Sequence, residues 1–200
     1  MKISLMNVRE MLARNQEDIV NSYIKTFSCE REKNGVKESL NPQIEKFLFN
    51  NAVKFSKKKT AISYLVIDEE DSALLGYFAL AHKPIKIPAE GLSRNVRDQL
   101  KRFSKLEDDN SFMMSGFFLA QFGKNFAVDN GTRISGAKLM KLVNEQLRLV
   151  QDIIGGTLVY LDCEPNARLI SFYEKENFKL FGERVSETDG KRYLQYLTFV

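Results

Sequence analysis

Two hundred residues, 44% hydrophobic and 28% charged, suffice for a sizeable core and are too apolar for a disordered chain. Thirty basic against 26 acidic residues leave a net charge of +4, an excess too small to demand a nucleic-acid partner and no obstacle to one. Cys29 and Cys163 lie far apart with no companion histidines at ligand spacing, which excludes a disulfide framework and a zinc site and points to free thiols in a reducing compartment.

The opening stretch MKISLMNVREMLARNQED has charges close to every apolar residue, unlike a signal peptide. No apolar run is long enough to span a bilayer, so a cytoplasmic protein without a membrane partner is expected. Asn7 to Ile24 shows helical spacing through Val8, Leu12, Ile19 and Tyr23, with a break expected near Asn15. Cys29 to Ser39 is charged, contains Gly35 and reads as a loop. Asn41-Pro42 opens a second helix with Ile44, Leu48 and Phe55 on one side. Lys57-Lys58-Lys59 closes it, three cations that suit a helix carboxy terminus.

Ala61 to Ile67 and Ala73 to Ala81 are β-rich runs around an acidic hairpin tip, Asp68 to Ser72. His82, the only histidine, follows them and is a weak catalytic candidate. Lys83 to Lys105 leaves the core pattern. Pro84 and Pro88 suggest a bent connector, and Ser93 caps a short helix to Leu100. Seven basic residues stand here against Glu90 and Asp98, a local excess that suits a phosphate backbone. Ser111 to Phe126 reads as a central strand without a single Asp or Glu. Asp129-Asn130-Gly131 marks a turn, and an amphipathic helix is expected from about Ile134 to Ile154, ended by Gly155-Gly156. A strand, a glycine-bearing loop and a helix amino terminus in that order make an anion site, because first-turn N–H groups and the helix dipole point at whatever binds.

Leu158 to Cys163 is a strand-length apolar run stopped by Glu164-Pro165. A helix follows from near Asn166, with Leu169, Phe172 and Tyr173 at core spacing and Asn177 able to take the left-handed terminal conformation. Phe178 to Val185 and Tyr193 to Phe199 close the chain around the Asp189-Gly190 turn. No internal repeat or second domain is visible, so residues 1–200 are expected to form one domain.

Phe172-Tyr173-Glu174-Lys175-Glu176-Asn177-Phe178, with Asn166 in the preceding loop, resembles the last signature of the GNAT superfamily of N-acetyltransferases, F-Y-E-K-x-G-F after a loop asparagine. Asn177 replaces the usual glycine. Leu75-Gly76-Tyr77-Phe78 resembles the family's V-G-Y strand, and the order of elements matches throughout. The resemblance implies an α/β (α+β) chain with the GNAT acyl-CoA N-acyltransferase fold, a central mixed, mostly antiparallel sheet flanked by helices. It also implies acetyl-CoA as cosubstrate, with Tyr173 as the general acid for the departing thiolate.

The family's pyrophosphate loop, Q/R-x-x-G-x-G/A, aligned on its final glycine, falls on Gly131-Thr132-Arg133-Ile134-Ser135-Gly136-Ala137. Gly131 replaces the leading Gln or Arg, and Ile134 replaces the middle glycine. The coenzyme residues so implied are Arg133, Ile134, Ser135, Gly136 and Ala137, together with Asn166 and the backbone of Phe122, Gly123 and Lys124. Without a carboxylate in the central strand, the acceptor amine must arrive neutral or lose its proton to water or to a distant group.

Thr26-Phe27-Ser28-Cys29, Phe47-Leu48, Ala52 and Gly76-Tyr77 further resemble the GNAT toxins of toxin-antitoxin modules, for which the acceptor would be the low-pKa α-amine of aminoacyl-tRNA. The readings are thus an acetyltransferase for an amine of a protein or small molecule, a toxin acting on tRNA, and a non-catalytic acetyl-CoA-binding module. A homodimer is left open.

Overall fold

The computed structural model describes residues 2–33, 36–39, 41–129, 133–187 and 189–200. Gly35 of the expected loop, Asn130 of the expected turn, Thr188 of the expected link between the closing strands, and Gly131 and Thr132 of the expected phosphate loop lie outside them. In chain order the elements begin with β1 (Ile3–Asn7), α1 (Val8–Ala13), α2 (Glu17–Ile24), β2 (Glu30–Lys33), β3 (Val36–Ser39), α3 (Pro42–Asn50) and α4 (Ala52–Lys58). They continue with β4 (Ile62–Asp68), β5 (Leu74–Pro88), α5 (Arg94–Leu100), β6 (Ser111–Lys124) and α6 (Gly136–Ile154). The chain ends with β7 (Leu158–Cys163), α7 (Ala167–Lys175), β8 (Lys179–Val185) and β9 (Arg192–Phe199). Seven strands form one mixed sheet in the order β1-β4-β5-β6-β7-β9-β8, with β6 in the middle as expected. The pairs of β1 with β4, β4 with β5, β7 with β9 and β8 with β9 are antiparallel, and β6 with β7 is parallel.

The chain divides into two compact units. The first holds Met1–Ala81 and Ala120–Val143. Its core gathers Val8, Val20, Leu48, Leu65, Leu74 and Tyr77, so the apolar stripes of α1 to α4 meet the inward residues of β4 and β5. The Asn7 side chain caps α1 by accepting the N–H groups of Arg9 and Glu10, and Asn15, at φ 57, breaks the first helical stretch where the break was expected. Lys59, at φ 56, ends α4. The second unit holds His82–Leu119 and Asn144–Val200, with Ile87, Leu100, Phe112, Leu158, Tyr160 and Leu197 among its core.

The structure corrects several boundaries. Ile3–Asn7, not singled out in the sequence, is a strand because its backbone pairs along β4 from Ile3↔Asp68 to Asn7↔Tyr64. The charged Cys29 to Ser39 stretch is a hairpin and not a loop, β2 pairing β3 from Glu30↔Ser39 to Lys33↔Val36. The bent connector at Pro84 and Pro88 is the continuation of β5, since a strand tolerates proline where the missing N–H would face away from its partner. The second helix breaks into α3 and α4 at Asn51. The long helix starts at Gly136 and not at Ile134, which is buried ahead of it, and its last stripe member, Ile154, is exposed.

Candidate functional site

In the second unit, β7 leads through Glu164-Pro165 into α7. Asn166 is the N-cap, its Oδ1 accepting the Arg168 N–H at 2.9 Å, so the loop asparagine starts the helix. Asn177, at φ 65, occupies the left-handed position that the family gives to glycine. Tyr173 is buried, its ring 5.1 Å from Phe172, 5.7 Å from Phe178 and 6.4 Å from Tyr196. Burial, with a further contribution from the Cys163 thiol, holds the phenol well above its ordinary pKa, and a tyrosine is protonated at neutral pH with or without that shift. A protonated phenol is what a general acid requires.

The edge of β7 is also informative. Among the described residues its parallel pairing with β6 consists of Phe117 with Val159 and Phe118 with Tyr160, whereas its pairing with β9 runs on to Cys163. Among the described residues, the side of β7 away from β9 therefore has no strand paired with it beyond Tyr160. Asp162 is no free base: its carboxylate takes the Arg184 guanidinium at 2.7 and 2.8 Å and the Gln195 amide at 3.1 Å. His82 lies exposed against the Phe117 ring at 5.2 Å. In the basic segment after it, Asp109 takes Lys86, and Asp98 lies 3.7 Å from Arg94 and 3.8 Å from Lys101.

The first unit holds the remaining sequence candidates. Phe122 and Lys124 are half-buried at the end of β6, and Gly123 between them is buried. A methyl group on Gly123 would stand 2.5 Å from Ile44 Cγ2, so the bare backbone is what admits Ile44 there. Lys124 and Arg133 flank the Phe126 ring, 5.5 and 5.2 Å from its centroid. Burial, then the charges of Arg133 and Arg31, press the Lys124 pKa down. Like charges gathered in this way favour an anion among them.

Arg133 also fixes the loop: its Nε donates to Val128 O at 3.0 Å and its Nη2 to Phe126 O at 2.8 Å. Ser135 caps α6, its Oγ accepting the Lys138 N–H at 3.1 Å. Gly136 and Ala137 follow in the first turn, where N–H groups have no intrahelical partner. Ile134, 2% exposed, is a packing residue.

The observed helix start permits a second register for the phosphate loop. Arg133 precedes Gly136 by three, the separation the pattern asks between its Gln or Arg and its first glycine, and Lys138 then takes the last position. Sequence alignment on the final glycine concealed this register, and the helix boundary would have revealed it. Asn125, which the sequence reading passed over, is buried between these groups with four side-chain hydrogen bonds. Among the described residues no group of His, Cys, Asp and Glu could hold a metal ion, and no helix is long and apolar enough to cross a membrane.

No family model and no curated protein matches the sequence. Solved structures match the fold along nearly the whole chain. AtaT complexed with acetyl-methionyl-tRNAfMet is 12% identical, with 96% of this chain and 94% of that one covered at a TM-score of 0.59. A tyrosine-to-phenylalanine mutant of KacT is 14% identical over 98% and 95% at 0.59, and AtaTR bound with acetyl-CoA is 13% identical over 98% and 92% at 0.58. The chain therefore has the fold of these toxin structures, the GNAT fold, with a mixed, mostly antiparallel sheet flanked by helices.

Proposed function

We propose that residues 1–200 form one acetyltransferase domain of the toxin kind, which moves the acetyl group of acetyl-CoA to the α-amine of an aminoacyl-tRNA. The observation that carries this reading is Tyr173, a buried phenol on α7 at the tyrosine of the signature that the sequence resembles. The structural match to AtaT with acetyl-methionyl-tRNAfMet, over nearly the full length of both chains, supports the toxin reading over an acetyltransferase for proteins or small amines.

The amine nitrogen attacks the thioester carbonyl carbon, the C–S bond breaks, and the Tyr173 phenol gives its proton to the departing sulfur. The tyrosinate recovers a proton from solvent. The attacking amine loses one to water, since β6 carries no acid, Asp162 is taken by Arg184, and Glu45 accepts the Cys29 N–H at 2.7 Å and two serine hydroxyls. An α-amine made weakly basic by the adjoining ester suits such a site, because much of it is neutral at cellular pH. The diphosphate goes to the first turn of α6, at Gly136 and Ala137, beside Lys124 and Arg133. The open edge of β7 offers backbone partners to the pantetheine amides. A cytoplasmic location follows from the substrate. The antitoxin bound to AtaT in a related structure suggests a partner of that kind for this chain.

The test is growth after induction, alongside acetyl transfer from labelled acetyl-CoA to aminoacyl-tRNA by purified protein. Tyr173→Phe should relieve growth arrest and lower kcat about 10²–10⁴-fold while acetyl-CoA still binds. Arrest that survives the substitution would refute acetyl transfer as its cause. Transfer to peptides or polyamines but not to aminoacyl-tRNA would reassign the acceptor. Binding of acetyl-CoA without transfer to any amine would leave a coenzyme-binding module.

A further inference from the structure

Asn125 directly follows β6 and is 1% exposed. Its carboxamide uses both donors and both acceptor directions. Nδ2 donates to Thr26 O at 3.0 Å and Leu74 O at 2.7 Å, and Oδ1 accepts the N–H groups of Ser28 at 2.9 Å and Ala127 at 3.0 Å. Backbone bonds run alongside, Asn125 N–H to Leu75 O at 2.9 Å and Phe126 N–H to Ser28 O at 2.7 Å. One amide thus ties together the segment after α2, the start of β5 and the chain leaving β6.

What leaves β6 is the short path to the anion-binding end of α6. Of the described residues after β6, Phe126, Val128 and Asp129 are held by Arg133, which donates from its side chain to Phe126 O and Val128 O and from its backbone to Asp129 O. At its near end the path is fixed by Asn125 through Ala127. Lys124 precedes the clamp by one residue, and Phe126, whose ring carries both cations, follows it by one. We infer that Asn125 is a positioning residue for the diphosphate of acetyl-CoA, an inference that rests on the coenzyme reading above. The carboxamide sets where Lys124, Arg133 and the first-turn amides of α6 stand, without touching the ligand. No other side chain matches its four partners: aspartate would face two carbonyls with a carboxylate, and an apolar residue would orphan four buried groups.

The test compares wild type, Asn125→Ala and Asn125→Asp with two donors, acetyl-CoA and S-acetyl-pantetheine, which lacks the diphosphate and nucleotide. For Asn125→Ala we expect the KM for acetyl-CoA to rise about tenfold or more with kcat within about threefold of wild type, while kcat/KM for S-acetyl-pantetheine stays unchanged. Calorimetry should show acetyl-CoA affinity falling by the same factor in the folded variant. An unchanged KM for acetyl-CoA, an equal loss with both donors, or failure of both variants to fold would make Asn125 a stability residue alone and overturn the inference. A wild-type protein that binds no acetyl-CoA would instead overturn the transferase reading and this inference with it.

Discussion

Cys29 and Cys163 are the nucleophiles that the proposed chemistry leaves unused. Burial, helped by nearby carboxylates, pushes the Cys29 thiol up to about 12 and the Cys163 thiol up to about 11. Thiolate is the reactive form, and its fraction falls about tenfold for each pH unit that separates the pKa from the solution. Both thiols should therefore react with a disulfide reagent near pH 8 at least about 100-fold more slowly than free cysteine, and two fast thiols should appear in denaturant. Fast labelling of Cys163 in the folded protein would mean that water reaches the thiol, and the burial that raises its pKa would be absent. At this scale the sequence was legible where one residue type does one local job. Asn166 caps a helix by accepting the N–H two residues further on, and Asn177 ends the same helix. Asn125 was not legible, because three of its four partners lie 51 to 99 residues away and no spacing announces them.

The close crossing of two strands sets the tolerance of the central elements. A Cβ on Gly76 of β5 would stand 2.7 Å from the Gly123 carbonyl oxygen of β6, and backbone cannot yield as a side-chain tip can. Gly76→Ala should cost about 1–3 kcal/mol, a drop in melting temperature of roughly 3–10 °C. Gly182→Ala on β8, where the nearest atom is the tip of the Gln195 side chain, Oε1 at 3.4 Å, should melt close to wild type. Equal melting of both variants would show that β5 and β6 can part at Gly76 without loss. Helices were read well from sequence because apolar residues such as Leu139, Val143 and Leu147 of α6 recur at a period that only a helix satisfies. The misread strands lack the alternation that betrays a half-buried strand: β2 and β3 are charged, β1 is half-buried at every position, and the extension of β5 carries two prolines. Their state is decided by backbone pairing with a partner, which local propensity does not contain.

Alkaline stability sums these burials over the whole chain. Cys29 and Cys163 ordinarily titrate near 9, and both are raised in the folded state, as is the Tyr160 phenol, to about 12. A group whose folded pKa is raised holds its proton in the native state after the unfolded chain has released it. Stability is then fully present below the unfolded value and declines as pH climbs towards the folded one. The window opens near pH 9 for the thiols and near 10 for the phenol. At about 1.4 kcal/mol per pH unit for each group, the two thiols alone remove up to about 4 kcal/mol between about pH 9 and pH 10.5, a large part of the stability of an ordinary domain. The urea midpoint should accordingly fall steeply between about pH 9 and pH 10.5 in the wild-type protein. It should fall much less in the Cys29→Ala/Cys163→Ala double variant, whatever cavity cost that variant carries at neutral pH. A decline of the same steepness in both proteins would place the alkaline sensitivity in the buried phenols Tyr160, Tyr77 and Tyr173, and would mean that the thiols are better solvated than their 3% and 4% exposure implies.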